Sequence, residues 1–212
     1  MERLIKKGAE ADLYLIRWRG LRAILKRRKP KPYLQPALDR RIRELRTLRE
    51  ASYLVEAKEL GVPTPVVYFV DPFKAEIIMQ MIEGPRLKDA LLEPAKEDIK
   101  KLLELTGRHV ARLHEGGLIH GDLTTSNFII VRNRNVAFID FGLAFSSHRL
   151  EDKAVDLHLL RQVLKSAHTD KADEAFDSIL NGYEEIVGSK ATKQLMAQIK
   201  EIERRGRYAR VV

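Results

Sequence analysis

The chain of 212 residues contains no cysteine, so neither a disulfide bond nor a cysteine-ligated zinc site can form. No apolar run approaches the roughly eighteen residues that a membrane-spanning helix requires, and the N-terminal segment lacks the apolar stretch of a secretory signal. Internal repeats and low-complexity tracts are also absent. These absences exclude a disulfide-stapled secreted domain, and we expect a cytoplasmic protein that does not associate with membranes.

Acidic residues are outnumbered by basic ones. Lysine and arginine total 39 against 30 aspartates and glutamates, which gives a formal net charge of +9. A surplus of this sign favours an anionic partner, such as a nucleotide, a nucleic acid or an acidic protein surface. The length allows one large domain or two small lobes that share a core.

The order of the predicted elements, strands first and helices afterwards, indicates an α+β fold with two segregated lobes. The predicted strands lie around 4–5, 13–18, 21–25, 66–70 and 76–82, and the predicted helices over 37–60, 86–92, 95–115, 151–167, 170–187 and 190–205. The breaking sequence Glu83-Gly84-Pro85 marks the lobe boundary. We therefore divide the chain into a β-rich N-terminal lobe (1–83), a helical C-terminal lobe (84–203) and a basic tail (204–212).

The longest predicted helix, over 37–60, has an apolar face of five residues at helical spacing. These are Ile42, Leu45, Leu48, Tyr53 and Leu54. Such a face predicts that the helix packs on the core through them.

The most informative segment runs from 120 to 142 and reads HGDLTTSNFIIVRNRNVAFIDFG. Asp122 is followed five positions later by Asn127, and two hydrophobic runs then lead to Asp140-Phe141-Gly142. Protein kinases use this order to hold the metal ions of a nucleotide. We expect Asp122 to orient the attacking hydroxyl, and Asn127 and Asp140 to ligate Mg²⁺ through hard oxygen donors. Asp122 and Asn127 are thus the predicted catalytic residues.

A kinase also needs a cation at the phosphates of ATP. Lys26 ends an apolar strand and is the candidate, although it also opens a basic run that could be a solvated surface. Its carboxylate partner should lie on the following helix, where Glu44 and Glu50 both qualify by distance along the chain and Glu56 and Glu59 qualify less well.

The predicted nucleotide contacts continue on either side of this lysine. A single glycine, Gly8, replaces the usual three of the phosphate loop, and Glu10 brings a carboxylate close to where anions should lie. Met81, Ile82 and Glu83, at the end of the last strand before the lobe boundary, complete the set of candidate ATP contacts.

Several positions depart from the pattern of protein kinases. Gly121 replaces the arginine of His-Arg-Asp, and Thr124 stands where a lysine usually steadies the γ-phosphate. No Ala-Pro-Glu follows Asp140-Phe141-Gly142, so there is no full activation segment. Asp156 is either the buried anchor of the catalytic loop or a surface residue. These departures predict slow or unusual phosphotransfer and few peptide substrates.

The last nine residues carry four arginines and a tyrosine. Arg204, Arg205, Arg207 and Arg210 suit contacts with the phosphate backbone of RNA, and Tyr208 could stack on a base. A solvated basic terminus is the competing interpretation.

These motifs together resemble those of the small atypical kinase/ATPase subunit of the KEOPS complex. The matching segments lie at 7–11, 26, 31–33, 36–39, 46–51, 61–65, 120–127, 140–142 and 205–207. The resemblance implies a compact two-lobed protein-kinase-like fold, ATP and Mg²⁺ as cofactors, and Glu50 as the partner of Lys26. It also implies a role in threonylcarbamoyladenosine modification of tRNA, with the KEOPS catalytic subunit on the C-terminal lobe, a small KEOPS subunit on the N-terminal lobe and tRNA contacts from the tail.

Three alternatives remain open on the sequence. A RIO-type kinase of ribosome maturation would also lack an activation segment, but Thr124-Thr125-Ser126 and the intact Asp140-Phe141-Gly142 argue against it. A small-molecule phosphotransferase of the aminoglycoside-kinase type should have a larger, acidic helical region. A pseudokinase scaffold that binds tRNA would explain the reduced glycine loop and Thr124, but not the retained Lys26 and Asp122.

Overall fold

The computed structural model describes residues 2–92, 97–132 and 135–208. Its N-terminal lobe is a five-stranded antiparallel sheet with strand order β1-β2-β3-β5-β4 and one long helix. The elements are β1 (Arg3–Lys7), β2 (Ala11–Trp18), β3 (Leu21–Arg28), α1 (Pro36–Glu59), β4 (Val67–Asp71) and β5 (Glu76–Gln80). The predicted strands and helix lie at these positions to within a few residues.

The β2–β3 hairpin shows how local sequence sets this lobe. Arg19 and Gly20 both have positive φ, at 49° and 84°, and Trp18 pairs with Leu21 across the turn. A two-residue turn with both φ values positive matches the twist of the flanking strands, and glycine adopts it without steric cost. The hairpin fixes the register in which Lys26 lies opposite Leu13 on one side and Ile77 on the other.

The C-terminal lobe is mainly helical and carries short strands around the catalytic segment. Its elements are α2 (Leu87–Leu92), α3 (Glu97–Glu115), β6 (Leu118–Ile119), β7 (Phe128–Val131), β8 (Asn135–Phe138), β9 (Phe145–Ser146), α4 (Leu150–Ala167), α5 (Ala172–Val187) and α6 (Ser189–Tyr208). The two hydrophobic runs of the sequence form the β7–β8 hairpin, in which Phe128 pairs with Phe138. Within the described ranges, no helix is long and apolar enough to cross a membrane.

Helices α3 and α5 form the closest contact of this lobe. A Cβ atom at Gly107 would lie 1.9 Å from the carbonyl oxygen of Ile179, and one at Gly182 would lie 1.8 Å from that of Glu104. Glycine at these two positions therefore lets the two backbones touch. Phe176 and Ile179 of α5 are fully buried beside this contact.

Two predictions about the helices need correction. The predicted core face of α1 is wrong at Leu45 and Leu48, which are 45% and 48% exposed, whereas Thr47 and Glu50 are buried at 0% and 1%. The buried side of the helix is polar at Thr47 and Glu50 because it faces the cleft between the lobes there, whereas Leu54 is buried in the core as predicted. Helix α6 runs on to Tyr208, so Arg204, Arg205 and Arg207 belong to a helix and not to a separate tail, while Arg210 lies outside the described residues.

Candidate active site

Lys26 lies at the centre of the cleft between the lobes. Its Nζ is 2.5 Å from Oε1 of Glu50 on α1 and 2.7 Å from Oδ1 of Asp140 in the C-terminal lobe. Burial alone disfavours the charged ammonium, but the two carboxylates outweigh it and raise the pKa of Lys26. The structure therefore selects Glu50 from the candidates on α1, and it also places Lys26 against Asp140, which lies 114 positions further along the chain.

A second cation at this carboxylate was missed by the sequence analysis. Nη2 of Arg28 lies 2.5 Å from Oε2 of Glu50, and both side chains are buried. Arg28 follows Lys26 by two positions on β3, and residues two apart on a strand point to the same face. That spacing was the available signal, but the basic run around it resembled a solvated surface. Glu50 is thus held between two buried cations.

The catalytic segment brings its polar residues together in one turn. Nδ2 of Asn127 donates to Oδ2 of Asp122 at 2.9 Å and to the Asp122 carbonyl oxygen at 3.0 Å. A single 3₁₀ turn, Thr125–Asn127, closes the five-residue spacing between them. Because its nitrogen is engaged, the Oδ1 atom of Asn127 is the atom suited to a cation.

Asp140 adopts an unusual backbone conformation, with φ at 66°. A residue with a side chain rarely occupies this left-handed region, and such strain is concentrated at functional sites. The conformation directs Oδ1 of Asp140 to Lys26, and the amide of Gly142 donates to the same atom at 3.3 Å.

The donor set fits a magnesium ion that is held mainly by a nucleotide. Among the residues that the structure describes, no group of three His, Cys, Asp or Glu side chains forms a metal site by itself. Mg²⁺ in ATP-dependent enzymes takes one or two protein oxygens and completes its shell with phosphates and water. Asn127 and Asp140 could supply those two oxygens.

Asp156 on α4 anchors the catalytic loop from below. Its carboxylate is 2% exposed and accepts hydrogen bonds from the amides of His120 and Gly121 at 3.0 and 2.9 Å. Nε2 of His114 lies 3.2 Å from the same carboxylate. Of the two interpretations of Asp156 on the sequence, the structure supports the buried anchor.

The neighbouring positions of the loop are set by packing. The His120 ring is fully buried beside Phe141, with ring centroids 4.7 Å apart, and burial lowers the pKa of His120. Gly121 has φ at 76°, and a Cβ there would lie 2.4 Å from the carbonyl oxygen of Leu143. Glycine therefore replaces the arginine of the kinase pattern because the segment after Gly142 returns directly against the loop.

Two adjoining cavities form the cleft. The first, about 280 Å³, is lined by apolar side chains that include Ile24, Met79, Met81 and Ile82, and it reaches Lys26. The side chain of Glu83 is not part of this lining and pairs instead with Arg22 at 2.6 Å. An apolar slot that ends at a cation suits a flat base followed by phosphates.

The second cavity, about 240 Å³, continues from the first at Lys26 and Asp140. Gly8, Asp122 and Gly142 are among its lining residues. The amide of Gly8 donates to the Ala11 carbonyl oxygen at 3.1 Å, which closes the turn between β1 and β2 over this cavity. The cleft thus has an apolar end, a cationic middle and an acidic floor.

Of the predicted RNA contacts, Arg204, Arg205 and Arg207 lie on α6, and the side chains of Arg204 and Arg205 are not part of the cleft lining. Arg205 pairs with Glu151 at 3.1 Å and with Glu201 at 3.0 Å. Arg204 is exposed. The side chains of Arg207 and Arg210 lie outside the described residues.

Comparison with known proteins agrees with this geometry. The RIO domain matches residues 26–163. Over 212 aligned residues the chain is 43% identical to the KEOPS complex subunit Bud32 of Pyrococcus abyssi, with 97% of this chain and 96% of that protein covered. The chain belongs to the family of RIO-domain KEOPS subunits. This membership confirms the resemblance seen in the motifs. It also places the chain among the RIO-type atypical kinases.

Two other relatives are longer proteins. A probable bifunctional tRNA threonylcarbamoyladenosine biosynthesis protein of Methanothermobacter thermautotrophicus is 42% identical over 205 residues, which are 97% of this chain and 36% of that protein. The corresponding protein of Methanobrevibacter smithii is also 42% identical, over 207 residues and 37% of its length. The chain therefore spans about a third of these two relatives.

Among solved structures, the Rio2 kinase from Chaetomium thermophilum matches with a TM-score of 0.57 at 17% identity, covering 95% of this chain and 73% of that one. At this identity the match shows the fold alone. The predicted α+β, two-lobed, protein-kinase-like fold is confirmed.

Proposed function

We propose that this chain binds Mg-ATP and serves as the kinase/ATPase-type subunit of a KEOPS complex, in support of threonylcarbamoyladenosine modification of tRNA. The observation that carries the proposal is the ion-pair set in which Lys26 contacts Glu50 and Asp140 at the same time. Kinases need the lysine, the helix carboxylate and the metal-binding aspartate in place together. Here all three are in place together.

Each cleft residue then has a role. Met81 and Ile82 contact the base, Lys26 and the Gly8 turn bind phosphates, and Asn127 with Asp140 holds the magnesium ion, which neutralises charge on the phosphates when bound. Asp122 orients the attacking hydroxyl or water. The hydrogen bond from Asn127 keeps the Asp122 carboxylate at a fixed distance from the metal-binding side chain.

The geometry favours ATP hydrolysis, with limited phosphotransfer, over a broad protein-kinase activity. Only the segment 143–149, with the two-residue strand β9, separates Asp140-Phe141-Gly142 from α4. A peptide platform cannot be built from so short a segment. Thr124 also supplies no charge to the γ-phosphate, which predicts a slow chemical step.

The partners follow from the family. The names of the relatives refer to a KEOPS complex subunit and to tRNA threonylcarbamoyladenosine biosynthesis. We infer that the KEOPS catalytic subunit binds the C-terminal lobe, that a small KEOPS subunit binds the N-terminal lobe, and that Arg204, Arg205, Arg207 and Arg210 contact tRNA. The exposed leucines of α1 offer the N-terminal lobe an apolar docking face, and the net charge of +9 favours an RNA partner.

ATP hydrolysis by the purified chain tests the proposal, alone and with the catalytic subunit and tRNA. Turnover that depends on these partners and disappears in Asp122→Ala and Asp140→Ala is the expected result. A matched control is Asp173→Ala, which removes an exposed carboxylate from the first turn of α5.

The alternatives predict different outcomes of the same assay. A pseudokinase scaffold gives no turnover and no Mg-ATP-dependent rise in melting temperature, whereas an ATP-binding protein is stabilised by its ligand. Vigorous phosphorylation of added proteins without partners contradicts the KEOPS role. Normal turnover in Asp140→Ala means that the metal site is misplaced.

A further inference from the structure

A third cavity, which we call the anion cavity, adjoins the phosphate end of the cleft. It measures about 230 Å³ and lies between the Gly8 turn, the end of β3 and the first half of α1. Its lining residues are Glu10, Arg28, Lys29, Lys31, Tyr33, Leu34, Asp39, Ile42, Arg43 and Arg46. Three of these, Glu10, Arg28 and Arg46, also line the cavity that contains Asp122 and Asp140. The nucleotide cleft is thus continuous with the anion cavity.

The anion cavity is strongly basic. Its described lining holds five cationic side chains and two carboxylates, which leaves an excess of three positive charges. Asp39 is engaged by Arg43 at 2.8 Å and by the Lys31 amide at 3.0 Å, which leaves Glu10 as the carboxylate that pairs with the side chains of Lys31 and Arg46. A basic concavity at the phosphate end of a cleft attracts an anion.

The carboxylate of Glu10 occupies this place in the present structure. It accepts a hydrogen bond from Nη1 of Arg46 at 2.6 Å and a short one from Nζ of Lys31. The hydrogen bond from Lys31, together with the charges of Arg46 and Lys31, outweighs partial burial and lowers the pKa of Glu10. Glu10 is therefore an internal anion that ties the Gly8 turn to α1.

Lys31 and Arg46 both pair with Glu10, so these two side chains already converge on one place in the cavity. The amide of Lys31 also donates to Oδ1 of Asp39 at 3.0 Å, which fixes the backbone there. Arg28, which is only 5% exposed, is held by Glu50 through Nη2 at 2.5 Å. An anion from the cleft that replaced the Glu10 carboxylate would therefore meet the same two cations, Lys31 and Arg46.

We propose that Lys31 and Arg46 bind the terminal phosphate of a nucleoside triphosphate, which displaces Glu10. This rests on the proposed function and deepens it, because it supplies the cation that is missing at Thr124. The base lies against Met81 and Ile82, the inner phosphates lie at Lys26, and the last phosphate reaches Arg46. A diphosphate lacks this last phosphate, so the cavity would make the site selective for the triphosphate.

The affinities of Mg-ATP and Mg-ADP test the proposal, measured by calorimetry on the full chain. Arg46→Ala should lower the preference for ATP over ADP by about tenfold or more, because a charge-assisted bond to phosphate contributes at least one factor of ten. Glu10→Gln keeps the shape but removes the competing charge, so ATP should bind more tightly while ADP is unaffected. Arg49→Ala, an exposed arginine three residues further along α1, is the control and should leave the ratio unchanged.

The outcomes separate this proposal from the proposed function. If both nucleotides bind with Mg²⁺ but Arg46→Ala and Glu10→Gln leave the ratio of their affinities unchanged, the anion cavity does not bind the terminal phosphate. In that case only the proposed function stands. If Arg46→Ala weakens tRNA affinity without changing the ratio, the cavity binds an RNA phosphate and our proposal is wrong. Absence of any nucleotide binding overturns both.

Discussion

Helices α1 and α5 meet the core in different ways. Helix α5 buries apolar side chains, among them Phe176, Ile179 and Tyr183. Helix α1 packs Leu54 in the core near its end but buries Thr47 and Glu50 before it, and it exposes an apolar stripe, which comprises Leu38, Leu45, Leu48 and Val55. A helix that serves only packing turns its apolar face inward. The polar burial in α1 therefore marks a helix shaped by the cleft, and its exposed stripe is the face that we propose for a partner.

The burial of Glu50 in α1 has an energetic cost that the site offsets locally. A buried carboxylate is costly unless it is paired and hydrogen bonded, and Glu50 has both Lys26 and Arg28 within 2.5 Å. The arrangement holds two cations at the cleft and so contributes to function more than to stability. The two helices should consequently respond differently to substitution.

The largest effect is expected for Glu50→Ala. Removing this carboxylate leaves the buried Lys26 and Arg28 with too little negative charge, so we expect a loss of about 3–5 kcal/mol in the free energy of unfolding. Urea denaturation measures it. Glu44→Ala, on the same helix but not buried, is the control and should change the free energy by less than about 0.5 kcal/mol. A loss below about 1 kcal/mol for Glu50→Ala would show that the cations relax into water.

Helix α5 should instead be sensitive to added volume. In Gly182→Ala the new Cβ meets backbone atoms of α3, which cannot move aside as a side chain can. We expect a loss of roughly 3 kcal/mol, at the upper end of the usual overpacking range. Gly20→Ala, where nothing lies within 4 Å but φ is 84°, should cost only about 1 kcal/mol. Equal losses in the two variants would mean that the α3–α5 contact is not tight.

Most of the fold could be predicted because the signals for its turns, hairpins and helices lie within short stretches of sequence. The Arg19-Gly20 turn, the β7–β8 hairpin and the helix limits depend on residues close in sequence. Leu54 was predicted correctly on the inward face of α1, but the exposure of Leu45 and Leu48 could not be predicted, because period alone cannot tell which side of a helix meets a cleft. The kinase-type residues of the cleft were found through their spacing, but Arg28 and the role of Glu10 depend on contacts across 18 to 36 positions.

Acid should destabilise the C-terminal lobe, because this lobe buries a neutral histidine, whereas α1 buries paired charges. Burial lowers the pKa of His109 to about 4, whereas the unfolded chain binds this proton near pH 6.5. Stability from this residue is complete above pH 6.5 and falls as the pH drops towards 4, because only the unfolded state takes up the proton. At pH 5, about 1.5 units below the pKa of the unfolded state, the free energy of unfolding should be lower by about 2 kcal/mol, since each unit corresponds to about 1.36 kcal/mol.

His109→Gln isolates this contribution, because glutamine can still donate to Oδ1 of Asn135, which lies 3.1 Å from Nε2 of His109. Unfolding free energies at pH 7 and pH 5 should differ by about 2 kcal/mol less in the variant than in the original chain. The same difference in both would assign the acid sensitivity to other groups.

The smallest effect on stability is expected for the exposed side of α1, in Leu48→Asp. Leu48 is 48% exposed, so its replacement should change the free energy of unfolding by no more than about 0.5 kcal/mol. If α1 exposes leucines because a KEOPS subunit covers them, the same variant should weaken binding of the small subunit by about tenfold or more. Phe73→Asp, at an 81% exposed position in the β4–β5 turn, is the matched control and should bind normally. Unchanged binding in Leu48→Asp would separate the two sides of the helix: the buried charges would still belong to the site, and the exposed leucines would need another explanation.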